Sequence, residues 1–205
     1  RLLTARSTDN GATWSDPIEI YNADLSSGYS RPFDSRLEYG NGRWIAVWSN
    51  LYIYGNTTGA NNEDILYSYS DNGGRTWSAP ANLNNDFATD NKHDFSADIA
   101  ADGSGVWVAT WNSHTSDYSQ GLVYYSRSDD NGATWSDPSF LSAFTPFGVN
   151  NFSGHNRIAT DEAGNWIVVW PFYSGLESAN ETILYTHRSI DNGLSFPDTQ
   201  SLISI

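Results

Sequence analysis

Cysteine and methionine are both absent from the 205 residues. Without cysteine there is no disulfide, no thiolate metal site and no sulfur nucleophile. That absence does not fix a compartment. Charge is also scarce, at 17% of residues, and basic charge is scarcer still. Lys and Arg number 10 against 24 Asp and Glu, for a formal net charge of −14. A surface of that sign repels nucleic-acid phosphates and anionic membranes, so neither is an expected partner. It also repels an anionic sugar unless local arginines reverse the field. Long apolar runs are missing, and the longest, around Trp166 to Phe172, is far too short to span a bilayer. No leader-like segment is visible. The chain enters an apolar stretch directly after Arg1, so it is expected to be a piece of a longer polypeptide. The four histidines, His93, His114, His155 and His187, lack zinc-ligand spacing. No phosphate-binding loop, serine elbow or basic patch occurs. No metal and no cofactor is therefore expected.

Aromatic residues are abundant, at 15% with nine tryptophans, enough to build a core. Those tryptophans fall in a repeat. Ser7-Thr8-Asp9-Asn10-Gly11-Ala12-Thr13-Trp14 aligns without a gap with the segments Ser70 to Trp77, Ser128 to Trp135 and Ser189 to Phe196. The shared pattern is S-x-D-x-G-x-T-W, carried by Ser7, Asp9, Gly11 and Trp14; Ser70, Asn72, Gly74 and Trp77; Ser128, Asp130, Gly132 and Trp135; and Ser189, Asp191, Gly193 and Phe196. Successive copies start 63, 58 and 61 residues apart, a period that marks a repeat architecture.

A second element recurs between the boxes. Arg36 to Tyr39 is followed by Gly42 to Trp48, Asp98 to Asp102 by Val106 to Trp111, and Arg157 to Asp161 by Asn165 to Trp170. Each reads as a hairpin of two β-rich runs around a Gly-containing turn. With the run before each box and the run after it, one unit is four short strands, the pattern of a propeller blade. The expected fold is all-β: a partial β-propeller of about three and a half blades in one domain, 1–205. Its units lie at about 1–22 (half), 32–84, 95–142 and 155–204.

The box chemistry suits a turn. The side chain at Asp9, Asn72, Asp130 and Asp191 can accept hydrogen bonds from backbone N–H groups just ahead of it. The glycines permit positive φ. The hydroxyls tie down further backbone, and the aromatic ring supplies buried area. All nine tryptophans occupy repeated positions, so core packing is expected of them rather than sugar stacking.

On these four boxes the chain resembles the Asp-box, or bacterial neuraminidase repeat, family over nearly its whole length. The resemblance implies a sialidase-type propeller, a closed ring of six blades and a structural role for the boxes away from any active site. That family includes exo-sialidases and also non-catalytic propellers, so fold does not settle function. An exo-sialidase clamps a sugar carboxylate with three arginines. Arg6, Arg127 and Arg188 precede box serines and read as structural or surface residues, Arg75 lies in a box, and Arg43 lies in a turn. The remaining candidates for substrate contact are Arg31, Arg36 and Arg157. Arg36 and Arg157 share one inner-strand position in different blades, and Asp98 takes that position between them. Asp98 and Asp34 are the candidate catalytic acids. The alternative reading of this ring is an ion-pair belt closing the channel. The Arg-Ile-Pro string implied by the resemblance is not matched by Arg31-Pro32 or by Arg157-Ile158-Ala159. The implied tyrosine–glutamate pair has only Tyr173 and Glu177 nearby, without a supporting spacing rule. Lys92-His93-Asp94 reads as a solvated loop.

Close similarity among the repeats favours a non-catalytic module of a larger secreted or cell-surface protein, binding glycan or protein or serving as scaffold. The alternative is an exo-sialidase-like glycoside hydrolase. Three sequons, at Asn56, Asn151 and Asn180, are compatible with secretion. Closure of the ring is expected either from further blades of a longer chain or from assembly of several copies.

Overall fold

The computed structural model describes residues 1–22, 29–53, 61–85, 92–115, 121–141, 152–153, 155–173 and 182–204. Among these no helix occurs. Glu177 and most of the three sequons lie outside them. Strands β1 (Leu2–Thr4) and β2 (Ile18–Tyr21) form an antiparallel pair. Strands β3 (Tyr29–Gly40), β4 (Arg43–Ile53), β5 (Asn61–Ser70) and β6 (Ala81–Asn82) form a first antiparallel meander. The same order recurs in β7 (Lys92–Ala101), β8 (Trp107–Thr115), β9 (Gly121–Ser128) and β10 (Ser139–Phe140). A third meander holds β11 (Phe152–Ser153) and β12 (Arg157–Thr160) on one side of β13 (Trp166–Tyr173), then β14 (Thr182–Ser189) and β15 (Asp198–Ser204). One parallel bridge, Glu63 with His93, joins the first two meanders. This is the blade architecture of a partial propeller.

Period-2 alternation explains the packing between blades. On β4, Ala46 and Trp48 face back toward the two-stranded sheet and cluster with Ile20 and Leu66. Their strand neighbours Ile45 and Val47 face forward and cluster with Ile99, Trp107 and Trp111 of the second meander. The next seam repeats this, with Val108 and Val123 meeting Trp166, Val168 and Trp170. Each fully buried large side chain of this kind contributes about 2–3 kcal/mol of hydrophobic stabilisation.

The box aromatics follow the same logic, and they plug the neighbouring blade rather than their own alone. Trp135 meets Tyr67 edge-on at 5.8 Å, and Phe196 meets Tyr125 at 4.9 Å. Trp48, Trp107, Trp111, Trp166 and Trp170 are buried, while Trp44, Trp77 and Trp135 are half-buried. Trp14 departs from the expected core role: it is 65% exposed. Its box belongs to the two-stranded sheet, and among the described residues no sheet precedes that one to receive the ring.

The boxes make the expected turns. In the first, Ser7 Oγ accepts from Gly11 N at 2.8 Å, and Asp9 accepts from Thr13 N at 2.9 Å and Thr13 Oγ1 at 2.6 Å. Two successive residues take positive φ, Asn10 and Gly11 at 58° and 85°, as do Asn131 and Gly132 at 63° and 75°. This explains the Asn or Gly ahead of each box glycine. In the second box the polarity of one bond reverses: the Asn72 amide donates to Thr76 Oγ1 at 2.7 Å.

Candidate functional site

The three inner-strand residues Arg36, Asp98 and Arg157 are brought together at the seams of successive blades. Arg36 Nε lies 3.7 Å from Asp98 Oδ1. Asp98 Oδ2 accepts the backbone N–H of Ile158 at 2.9 Å, joining the second meander to the third. Burial raises the Asp98 pKa above the ordinary carboxylate value, against the opposing pull of the Ile158 hydrogen bond and the nearby Arg157 and Arg36 charges. Glu38 stands close enough that its pKa is also raised, first by burial and then by the Asp98 charge. Arg157 is exposed, and its Nη1 donates to the Asn156 carbonyl at 2.7 Å. Arg31 is exposed near the start of β3, away from this ring in sequence register.

Asp34 lies elsewhere, at a β-bulge between Phe33 and Arg36, with φ at 49°. The second meander has the same bulge, between Phe95 and Asp98, with Ser96 at φ 56°. The two bulges meet: Ser96 Oγ donates to Asp34 Oδ2 at 3.4 Å, and Ser96 N donates to Ser49 Oγ at 3.0 Å. Positive φ at non-glycine residues is costly and persists only where surroundings hold it.

Beside them is a buried polar group that sequence pattern did not reveal. Glu63 Oε2 lies 3.8 Å from His93 Nδ1, and His93 pairs with His114 across β7 and β8. Burial lowers the pKa of both histidines, and His93 adds to the effect on His114. Glu63 is raised by burial and by the charge of Asp34. Asn84 Nδ2 donates to Asp94 Oδ2 at 2.9 Å. Lys92-His93-Asp94 is thus the first part of a strand, with His93 and Asp94 buried, and not a solvated loop. Reading by hydrophilicity failed because these polar side chains meet polar partners across a seam. The available signal was repeat register: they occupy the strand-one slot of their unit. Among the described residues, no group of three or more His, Asp or Glu is arranged to hold a metal ion.

At the opposite, box-bearing end the arginines are ties. Arg43 grips Asp71 with two bonds of 2.7 and 2.9 Å, reaches the Asn131 carbonyl at 2.8 Å and stacks over Tyr69. Arg127 donates to the Asn192 carbonyl at 2.9 Å. A cavity of about 440 Å³ opens beside the first two boxes, edged by Trp14, Trp44, Leu37 and Arg6. Leu37 is 50% exposed there, whereas Ile99 and Ile158 in the same repeat position are buried.

Box turns of this kind on antiparallel four-stranded sheets define a class: the chain carries Asp-box repeats on a sialidase-like fold. The model of the BNR/Asp-box repeat matches residues 68–79, the second box. A sialidase of Clostridium perfringens is 33% identical over 154 residues, covering 65% of this chain and 39% of that protein. The chain therefore spans about two fifths of that relative. Among solved structures, the Hadza microbial sialidase Hz136 superposes with a TM-score of 0.64 at 17% identity, over 87% of this chain and 38% of that one. A polysaccharide lyase of family PL25, an ulvan lyase, gives 0.65 at 13% identity over 98% and 50%. At such identities these structures speak to fold alone. No helix among the described residues is long and apolar enough to cross a membrane.

Proposed function

We propose that the chain is a non-catalytic Asp-box propeller module of a larger secreted or cell-surface protein, which serves as scaffold and binds glycan or protein. The observation that carries this reading is the condition of Asp98. One carboxylate oxygen faces Arg36 of the preceding blade and the other holds the Ile158 N–H of the following one. A general acid must deliver its proton to a leaving group, within hydrogen-bond reach of it. Asp98 is instead committed to joints on both sides, which fits an ion-pair belt better than a clamp with an acid. The exposed guanidinium groups of Arg31 and Arg157 remain the groups for contacting an acidic glycan on an otherwise anionic surface.

A second reading has its own support. Similarity to the C. perfringens sialidase favours an exo-sialidase-like hydrolase, with Arg31, Arg36 and Arg157 contacting a sugar carboxylate and Asp34 or Asp98 as acid. An assay of the complete folded protein on a fluorogenic sialoside separates the two. The module reading expects no turnover. Turnover lost in Arg157→Ala would overturn it in favour of the hydrolase.

A further inference from the structure

The end of the first two meanders opposite the boxes holds a buried pair of imidazoles. His93 stands near the start of β7 and His114 near the end of β8, directly opposite each other in the antiparallel register. They are 7% and 2% exposed. His93 also carries the parallel bridge to Glu63, which links the first two meanders, and its Nδ1 lies 3.8 Å from Glu63 Oε2. The His114 ring is wedged in place. It packs on Phe95 at 5.0 Å between centroids, and a Cβ added to Gly121 on β9 would meet it at 2.9 Å. The ring therefore cannot swing toward water unless β7, β8 or β9 moves.

The charged groups at this end of the surrounding strands are Arg31 and Asp34 on β3, Glu63 and Asp64 on β5, Lys92 and Asp94 on β7, and Arg157 on β12. Strands β4 and β9 bring no acidic or basic residue to this end. Asp94 accepts from the Asn84 amide, Asp34 from the Ser96 hydroxyl, and Lys92 lies 5.0 Å over the Tyr124 ring. Asp64 alternates with Glu63 and so lies on the other face of β5. Among the described residues Glu63 is the carboxylate within 4 Å of His93, and one carboxylate offsets one positive charge, not two.

Charging both rings sets two like charges side by side in a buried site. Burial already lowers both imidazoles from 6.5, and His93 adds to the effect on His114. Below pH 6.5 the unfolded chain then holds more protons than the folded one. The stabilisation is complete above that value and is lost as pH falls. Glu63 is raised from 4.5 by burial and by Asp34, and works in the opposite direction nearer that value.

We propose that the His93–His114 pair is an acid-sensitive joint. Charging it opens the seam between the first two meanders at the Glu63–His93 bridge, where the strand ends can reach water. The Ile45, Val47 and Trp107 cluster deeper in the seam stays closed. The paired bulges at Asp34 and Ser96 lie beside the bridge, so mild acid alters this end of the blades and leaves the box end intact.

Urea unfolding and hydrogen exchange of the 205-residue chain at pH 7.5 and 5.0 test this. The folding constant is expected to fall about tenfold or more between the two, since a histidine kept neutral by the fold costs up to about tenfold per pH unit below 6.5. Exchange at pH 5.0, corrected for intrinsic rate, should quicken first in 61–66 and 92–98 and stay slow in 166–170 and 185–189. His93→Gln and His114→Gln should each flatten the pH dependence and suppress that local opening. His187→Gln should leave the opening in place, because that buried ring sits in the third meander with Nδ1 on the Phe196 carbonyl. Equal stability and protection at both pH values, or a pH dependence that neither pair variant changes, overturns the proposal. So does an NMR titration of the wild type in which the rings of His93 and His114 both titrate at 6.5 or above, a readout that needs no variant to fold.

Discussion

The box turns and the inner strands of the blades are built differently. Each box turn is shaped by side-chain bonds spanning at most four residues, Ser7 to Gly11 and Asp9 to Thr13 in one copy, Ser128 to Gly132 and Asp130 to Thr134 in another, and only its Asn, at 131 and 192, is tied to an arginine of the preceding blade. The copies hardly differ, because each solves the same local problem. Along the inner strands, the bonds run between blades: Arg36 to Asp98, Asp98 to Ile158, Asn156 to Ser96. There the residues differ from blade to blade, because each seam is completed by its own neighbour. Local turns can be copied freely; the inner strands are where the repeats acquire individuality.

The sharpest way to test the comparison is to disturb a box where it meets its neighbour. Gly132→Ala places a methyl group against Ile45 at a positive φ, and should cost about 3 kcal/mol from overpacking and backbone strain together, measured by urea unfolding. Next is Asp98→Ala, which leaves the Ile158 N–H buried without its acceptor. A loss of about 2 kcal/mol is expected, while Asp98→Asn, which keeps an acceptor there, should lose less. If Asp98→Asn matched the alanine variant, charge rather than the hydrogen bond would be what ties the blades. Gly11→Ala then isolates the local effect, because nothing lies near its Cβ. Roughly 1 kcal/mol is expected from positive φ alone.

The smallest effect is acid dependence. Hydrogen bonds from Thr13 and Ser7 hold Asp9 near a pKa of about 2. Burial pulls Asp130 and Asp191 upward, but bonds from Thr134 and Ser128, and from Ser189 and Ser195, outweigh it and leave both at about 2. The unfolded chain binds these protons near 3.8, so between the two values it holds more protons than the folded state. The stabilisation is complete above pH 3.8 and is lost as pH falls toward 2. In the second box an amide, Asn72, stands where the other boxes carry this carboxylate, so Asn72→Asp should add one more acid-sensitive turn. An unchanged acid unfolding midpoint and slope in that variant would contradict the assignment.

Much of the fold was legible because its signals are local. Period-2 alternation places Ile45 and Val47 on one face and Ala46 and Trp48 on the other, and the box spells its own turn. The position shared by Arg36, Asp98 and Arg157 was also legible, from repeat register. The bonds Asp98 makes there were not. Nor were the burial of His93 and Asp94, the pairing of Asp34 with Ser96, or the nearness of Glu63 to His93, since hydrophilicity says nothing about which polar groups meet across a seam.

By itself the sequence determined the turns, the strands and their repetition, because each rests on hydrogen bonds and steric preferences within a few residues. Only the tertiary structure decided what Asp98 is attached to and that Trp135 packs on Tyr67 of the preceding blade. The physical reason is the same in both cases. A seam needs two blades, so the state of a residue on it depends on what stands opposite, some sixty residues away in the chain.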